Sequence, residues 1–179
     1  MAETYKMKIA GLERELTLFP VSETLDIAAF IIFGDVELTI KGCEELLKKV
    51  PEFDVILTPE AKSIPIAYEM SRQSGKPYIV ARKGVKVYMK SPLEVSVNSI
   101  TTASEQHLYL GEDEVKKIEG KRVLIVDDVI STGESLTAVR NLVAAAGAKE
   151  AASCAYLAEG DAADRTDIIF LEKLPLFFK

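Results

Sequence analysis

Two adjacent carboxylates, Asp127 and Asp128, stand between four apolar residues, Val123 to Val126, and a hydroxyl-rich stretch, Ser131-Thr132-Gly133-Glu134-Ser135. The apolar run fits a strand buried on both faces, ended by the acids. Leu136 to Ala146 follow with apolar residues at helical spacing. Strand, acidic pair, small-residue turn and helix, in that order, place polar chemistry at the carboxyl end of a strand, where open α/β sheets bind ligands. A turn that opens a helix aims several backbone N–H groups into one concavity, at the positive end of the helix dipole. Gly133 lets the backbone approach an anion, and Ser131, Thr132 and Ser135 add hydroxyl donors. The stretch has neither the GxxxxGKS/T spacing nor a GxGxxG, so it suits one phosphate monoester better than a triphosphate. Asp127 and Asp128 can accept from two neighbouring sugar hydroxyls, as acids do after nucleotide-binding strands. The plain alternative is a capped helix after a surface turn. A cap accounts for one acid or one hydroxyl, not for two acids and three hydroxyls together.

The elements that must position these groups can be read along the chain. Its 179 residues make one domain the simplest reading, spanning 1–179. Hydrophobic content of 48 % fits a globular chain rather than a disordered one. The net charge of −6 argues against nucleic-acid and membrane-surface partners. It also requires that any polyphosphate ligand meet locally concentrated positive charge. No apolar run approaches the roughly 18 residues of a membrane span, and the mixed, charged N-terminus does not read as a signal peptide. Cys43 and Cys154 form no CxxC pair, so reduced core thiols in a cytoplasmic protein are expected.

Tyr5 to Ile9 and Leu12 to Phe19, split by Gly11, read as a hairpin or irregular cap. Ile27 to Phe33 is an apolar run with no clear period, and Gly34-Asp35 is a break with an N-cap. Helices are predicted over Val36 to Val50 and Ile64 to Ser74, with strands at Asp54 to Thr58 and Pro77 to Ala81. This alternation favours parallel strands joined by right-handed crossovers. Val85 to Leu110 departs from it: Val87, Met89, Val95 and Val97 suggest short strands around a small, polar middle, an excursion over the site. Gly111 to Gly120 reads as a charged connection. After the central motif come a strand at Glu150 to Ala158, a loop at Gly160 to Arg165, a last strand at Asp167 to Leu171 and an apolar tail, Leu174 to Phe178.

The stretch VLIVDDVISTGES resembles the phosphoribosyl-pyrophosphate (PRPP) signature of the type I phosphoribosyltransferases: an apolar strand, two acids, and a loop ending in a small residue, Thr-Gly and another small residue. The resemblance implies that Asp127 and Asp128 hold the ribose 2′ and 3′ hydroxyls, and that Ser131, Thr132, Gly133, Glu134 and Ser135 form the 5′-phosphate loop. Family loops often carry Gly where this chain has Glu134, so a negative charge stands beside the proposed phosphate. Thr58 to Pro65, with Glu60, Ala61, Lys62 and Ser63, resembles the pyrophosphate loop of adenine phosphoribosyltransferases. Pro77 to Lys83, with Val87-Tyr88-Met89 beyond it, resembles the strand ending in an Arg-Lys pair in adenine and xanthine enzymes and in purine repressors of this fold. Arg82 and Lys83, with Lys62, Lys86 and Lys90, then supply the local positive charge.

The implied fold is α/β: a mostly parallel sheet flanked by helices, with a small N-terminal hood over about residues 1–34 completed by the tail, and a flexible loop over about 84–110. The implied reaction displaces pyrophosphate from C1 of PRPP by a purine ring nitrogen, through an oxocarbenium-like transition state. Asp127, Asp128 and Arg82 are its candidate catalytic residues, with Mg2+ brought by the pyrophosphate and Glu60 placed to bear on it through water. Hypoxanthine-guanine enzymes place an acid where this chain has Ser131, which argues against that subgroup and for adenine as the first base. Adenine enzymes use a loop glutamate. Glu105 matches it only with a register shift, in an Asn98 to Gln106 stretch that also resembles the repressor type. His107 reads as a surface histidine or a proton acceptor. Phe19, Val21 and Ile27 stack on the base or form hood core. The resemblance also implies a homodimer. The rival readings are a PRPP-sensing or nucleotide-sensing regulator without transfer activity, a transferase for xanthine, guanine or a non-purine base, and a phosphosugar-binding module.

Overall fold

The structure is a computed structural model that describes residues 3–98 and 105–179. Five strands, among the described residues, form a parallel sheet in the order β10-β9-β8-β4-β5. They are β4 (Val55–Pro59), β5 (Tyr78–Ala81), β8 (Arg122–Ile130), β9 (Lys149–Glu159) and β10 (Ile169–Leu174). β8 is central, and its side chains alternate between two cores. Val123 and Ile125 enter the core beneath α4 (Glu134–Ala145) and α3 (Glu112–Ile118). Leu124 and Val126 enter the core beneath α1 (Val36–Leu47) and α2 (Ile64–Ser74). A strand covered on both faces needs an unbroken apolar run, and this one has it.

The chain crosses from β4 to β5 in one direction and from β8 through β9 to β10 in the other. The order therefore reverses between β4 and β8, the switch point at which open α/β sheets hold ligands. A smaller antiparallel sheet, in the order β1-β2-β3-β11, packs at one side. It combines β1 (Thr4–Ile9), β2 (Leu12–Pro20) and β3 (Leu25–Ala28) with β11 (Phe177–Phe178) of the tail, so the apolar tail does fold back onto the N-terminal hairpin. β6 (Leu93–Asn98) and β7 (Glu105–Leu110) form a hairpin whose Leu108 and Leu110 are buried in the α4-side core.

Several elements differ from expectation for physical reasons. β8 does not stop at the acids: it stays paired with β9 through Ile130, because Val129 and Ile130 resume the apolar pattern beyond them. Gly111 to Gly120 is not a plain connection, since α3 forms with the Glu114 carboxylate accepting the Gly111 N–H at 2.7 Å. Val87 and Met89 lie in turns rather than strands, and Val87 is fully exposed. The first helix ends at Leu47, the last sheet strand begins at Ile169, and Gly160–Asp164 is a 3-10 turn rather than a loop. Of the apolar run Ile27 to Phe33, only its start is strand. Residues 99–104, the polar middle of the expected flexible loop, lie outside the described residues.

Candidate active site

The ends of β4 and β8 are tied by buried hydroxyls. The Thr58 hydroxyl sits 2.9 Å from the Val126 carbonyl oxygen and 2.7 Å from the Ser63 hydroxyl, which donates to the Pro59 carbonyl at 3.1 Å. All the polar atoms of this knot are hidden from water, so it fixes the turn 59–63 against β8. The tie made by Thr58 has no local signal in the sequence, because its partner, Val126, is remote in the chain.

Asp127 and Asp128 stand side by side within β8, with Asp127 opposite Ala155 of β9. Asp128 is buried, and its Oδ2 faces the Lys62 ammonium at 3.0 Å. That contact is an ion pair without hydrogen-bond alignment, so the oxygen keeps acceptor capacity for a sugar hydroxyl. Asp127 accepts the Asp128 backbone N–H at 2.9 Å. Burial, and then the charge of Asp128 beside it, pushes the Asp127 carboxyl well above the usual carboxylate range.

Gly133 caps α4 at φ +84°, a conformation that glycine adopts without steric cost. The turn before it presents Ser131 and Thr132, and the Glu134 N–H approaches the Thr132 hydroxyl at 3.5 Å. Ser135 stands in the first turn of α4, where backbone N–H groups have no intrahelical partner.

Across the crevice, Glu60 is an organiser of the basic residues. Its Oε2 accepts the Lys83 N–H at 3.0 Å, and its Oε1 lies 3.5 Å from Arg82 Nη2. The Lys83 N–H and the nearby Arg82, Lys86 and Lys83 charges hold the Glu60 carboxyl below its ordinary value. Arg82 Nε is buried and finds no hydrogen-bond partner among the described residues, an N–H left over for an anion. β7 docks beside it, with backbone bonds between Arg82 and Tyr109 in both directions. Ala61 lies in the exposed part of the turn.

Asp127, Asp128, the Ser131–Ser135 turn, Lys62, Ser63, Glu60, Arg82 and Lys83 thus stand on the strand ends at and beside the one switch point. Phe19, Val21 and Ile27 belong instead to the small antiparallel sheet and the turn after it. Phe19 and Ile27 are cross-strand partners, and Phe19 and Val21 are about half exposed. His107 lies on β7, its Nδ1 2.7 Å from the Glu94 carboxylate, which also accepts the Tyr109 hydroxyl at 3.0 Å. Glu105 is placed by its backbone alone, opposite Asn98.

No three His, Cys, Asp or Glu side chains gather into a metal cage among the described residues. Mg2+ is usually held by one or two carboxylates together with substrate phosphates and water. The sparse carboxylates here, Glu60 on one side of the crevice and the acidic pair on the other, are compatible with a metal held chiefly by substrate phosphates and water rather than by a protein cage.

The model of the phosphoribosyl transferase domain matches residues 34–174. The chain belongs to this family. A hypoxanthine/guanine phosphoribosyltransferase from Methanotorris igneus is 42 % identical over 96 residues, 54 % of this chain and 49 % of that protein. One from Methanocella arvoryzae is 35 % identical over 132 residues, 74 % of this chain and 63 % of that protein. An adenine phosphoribosyltransferase from Thermotoga petrophila is 36 % identical over 138 residues, covering 72 % of this chain and 78 % of that protein. The matched stretches thus span about half to three quarters of these relatives. The crystal structure of adenine phosphoribosyltransferase from Thermoanaerobacter pseudethanolicus superposes with a TM-score of 0.74 at 23 % identity, over 88 % of this chain and 95 % of that one. The fold is therefore the type I phosphoribosyltransferase fold. Relatives named for both purine classes align with the chain, so membership of the family does not divide adenine from hypoxanthine or guanine.

Proposed function

We propose that the protein transfers the 5-phosphoribosyl group of PRPP to a purine base, with adenine as the first choice, and releases pyrophosphate. The observation that carries this reading is the placement of a cationic turn and an acidic pair on the two strands of the switch point, joined by Lys62 and Asp128 at 3.0 Å. Asp127 and Asp128 take the ribose hydroxyls, so their effect is chiefly orientation. The Ser131–Ser135 turn takes the 5′-phosphate through backbone N–H groups. Lys62, the Lys83 region and the unpaired Arg82 Nε take the pyrophosphate, whose negative charge grows as the C1–O bond breaks and the purine nitrogen bonds to C1. Mg2+, when bound on the pyrophosphate, neutralises part of that charge. The ion pairs of the ligand-free site, Lys62 with Asp128 and Arg82 with Glu60, are exchanged for ligand oxygens.

The homodimer of this reading has a candidate face in the groove between α1 and α2, where Val36, Ile40, Tyr68 and Tyr78 are exposed together. Light scattering of the protein and of Tyr68→Glu tests it: a dimer that Tyr68→Glu dissociates supports this face, and a monomeric wild type removes it.

The decisive assay mixes the protein with PRPP, Mg2+ and each of adenine, hypoxanthine, guanine and xanthine, and follows pyrophosphate release. Turnover with adenine alone supports the full reading. Turnover with hypoxanthine or guanine keeps the reaction and replaces the base. PRPP binding without turnover on any base overturns the transferase and leaves the sensor.

A further inference from the structure

We infer that Arg165 is a positioning residue of the 5′-phosphate turn, acting on Gly133 from the loop after β9. The inference rests on the proposed function above and adds a residue that the family signature does not contain.

Arg165 follows the 3-10 turn Gly160–Asp164. Its Nε donates to Asp167 Oδ1 at 2.9 Å and its Nη2 to Asp167 Oδ2 at 2.7 Å. This is the two-pronged geometry that fixes a guanidinium plane as well as its charge. Asp167 is held in turn from α4, where Arg140 Nη1 donates to Oδ2 at 2.8 Å. Arg140 is anchored on β9 by Glu150, with contacts of 2.9 to 3.1 Å. The two guanidinium groups keep the Asp167 carboxyl well below the usual carboxylate range. The orientation of Arg165 is thus set by α4 and β9, both rigid parts of the sheet layer.

The third corner of the guanidinium, Nη1, is turned away from Asp167 and lies on the phosphate turn. A Cβ at Gly133 would stand 2.5 Å from Nη1 and 3.7 Å from Cζ. Arg165 therefore occupies the space that any side chain at Gly133 would need and packs against the turn where that residue has φ +84°. Its position has an electrostatic consequence as well. The next residue is Glu134, a carboxylate at the start of the helix that must receive a phosphate. The Arg165–Asp167 pair has its negative end on the far side and its N–H corner at the turn, so it offsets that charge where the phosphate binds. This accounts for how a turn carrying Glu134 still serves an anion.

The test is isothermal titration of wild type, Arg165→Met and Arg165→Lys with two probes, ribose 5-phosphate and pyrophosphate. Arg165→Met is expected to raise the Kd for ribose 5-phosphate about tenfold while leaving that for pyrophosphate within about twofold, the size of one charge-assisted contact. Arg165→Lys, which keeps the charge but loses the fork, is expected to fall between and provides the readout if the Met variant does not fold. A general loss of structure would weaken both probes together, and that result overturns the inference. If wild type binds both probes and both variants match it, Arg165 is dismissed and the proposed function stands. If wild type binds pyrophosphate but not ribose 5-phosphate, the turn itself is misassigned and Arg165 falls with it.

Discussion

On the β8 side of the crevice the acids are carried inside the central strand, and Asp128 exposes 6 % of its side chain. On the β4–β5 side the basic groups project from turns, and Lys62 exposes 52 %. The acids are held by backbone that stays paired with β9 through Ile130, with the β4 ladder ending just before them at Ile125, so they cannot move without breaking that edge of the sheet. The bases are held by exchangeable carboxylates: Asp128 for Lys62, and Glu60 for Arg82. The difference suits the two halves of PRPP. The ribose 5-phosphate remains in the product and needs a fixed cradle, while pyrophosphate must be received and then released. A rigid anionic side and an adjustable cationic side give one site both behaviours, and the ligand-free protein keeps its opposite charges paired across the gap.

If the acids are the fixed side, removing one should have the largest effect. Asp128→Asn leaves the strand, the volume and the hydrogen-bonding shape in place but deletes the charge that faces Lys62. A charge-assisted hydrogen bond contributes about 1.5–3 kcal/mol, and orientation of the ribose is lost with it. A fall of about 100-fold in kcat/KM for PRPP is expected, without loss of folding by circular dichroism. By contrast, Lys62→Met should weaken pyrophosphate more than ribose 5-phosphate. Equal losses for the two ligands in both variants would erase the distinction between the sides.

Gly133→Ala probes the fixed side through its backbone. An Ala here must adopt φ +84° and must also displace the Arg165 guanidinium. The backbone penalty is about 1 kcal/mol or more, and the arm of Arg165 can swing aside, so the fold survives. The turn does not keep its shape, however, and the KM for PRPP is expected to rise about tenfold with a smaller change in kcat. The same substitution at Gly34, which also has φ above zero but nothing within 4 Å of a Cβ, serves as the control for backbone strain alone.

How far this architecture is legible in the sequence follows from the range of the interactions. The alternation β4, α2, β5 and the sequence β8, α4, β9 announce themselves by apolar runs and by Pro65, Gly75 and Gly133 as punctuation. The Asp35 cap of α1 is also local: its Oδ1 accepts the Leu38 N–H at 3.1 Å. α3 is missed because Val115 and Ile118 alone mark its buried face, while its start depends on a Glu114 side chain reaching back to Gly111. The true end of β8 is missed because acids normally close a buried strand, and here partner strand β9 continues alongside them. Thr58 and Arg165 carry no local signal at all. Each acts on a residue remote in sequence, Val126 for one and Gly133 for the other, and only the packed sheet brings them together.

The smallest predicted effect is also the one with an unusual sign. Asp127 is half-buried within β8 beside Asp128, and both burial and that neighbour's charge raise its carboxyl above the ordinary value. A carboxyl whose folded value lies above its unfolded value, about 3.9, releases its proton more readily when the chain unfolds. Below about pH 4 both states are protonated and the residue costs nothing. As pH rises from there through the folded value, the unfolded state is favoured progressively, and the protein loses stability. Asp127→Asn removes that penalty. The variant should match wild type in melting temperature near pH 3.5 and exceed it by a few degrees at pH 8, where about 1 kcal/mol corresponds to roughly 2–4 °C in a chain of this size. It should do so while using PRPP poorly. A variant less stable than wild type at pH 8 would mean that the bond from Asp127 to the Asp128 N–H, at 2.9 Å, outweighs burial and repulsion. The gain, in contrast, would show that the fixed side of the crevice holds its second charge against the folding free energy, as a site prepared for sugar hydroxyls must.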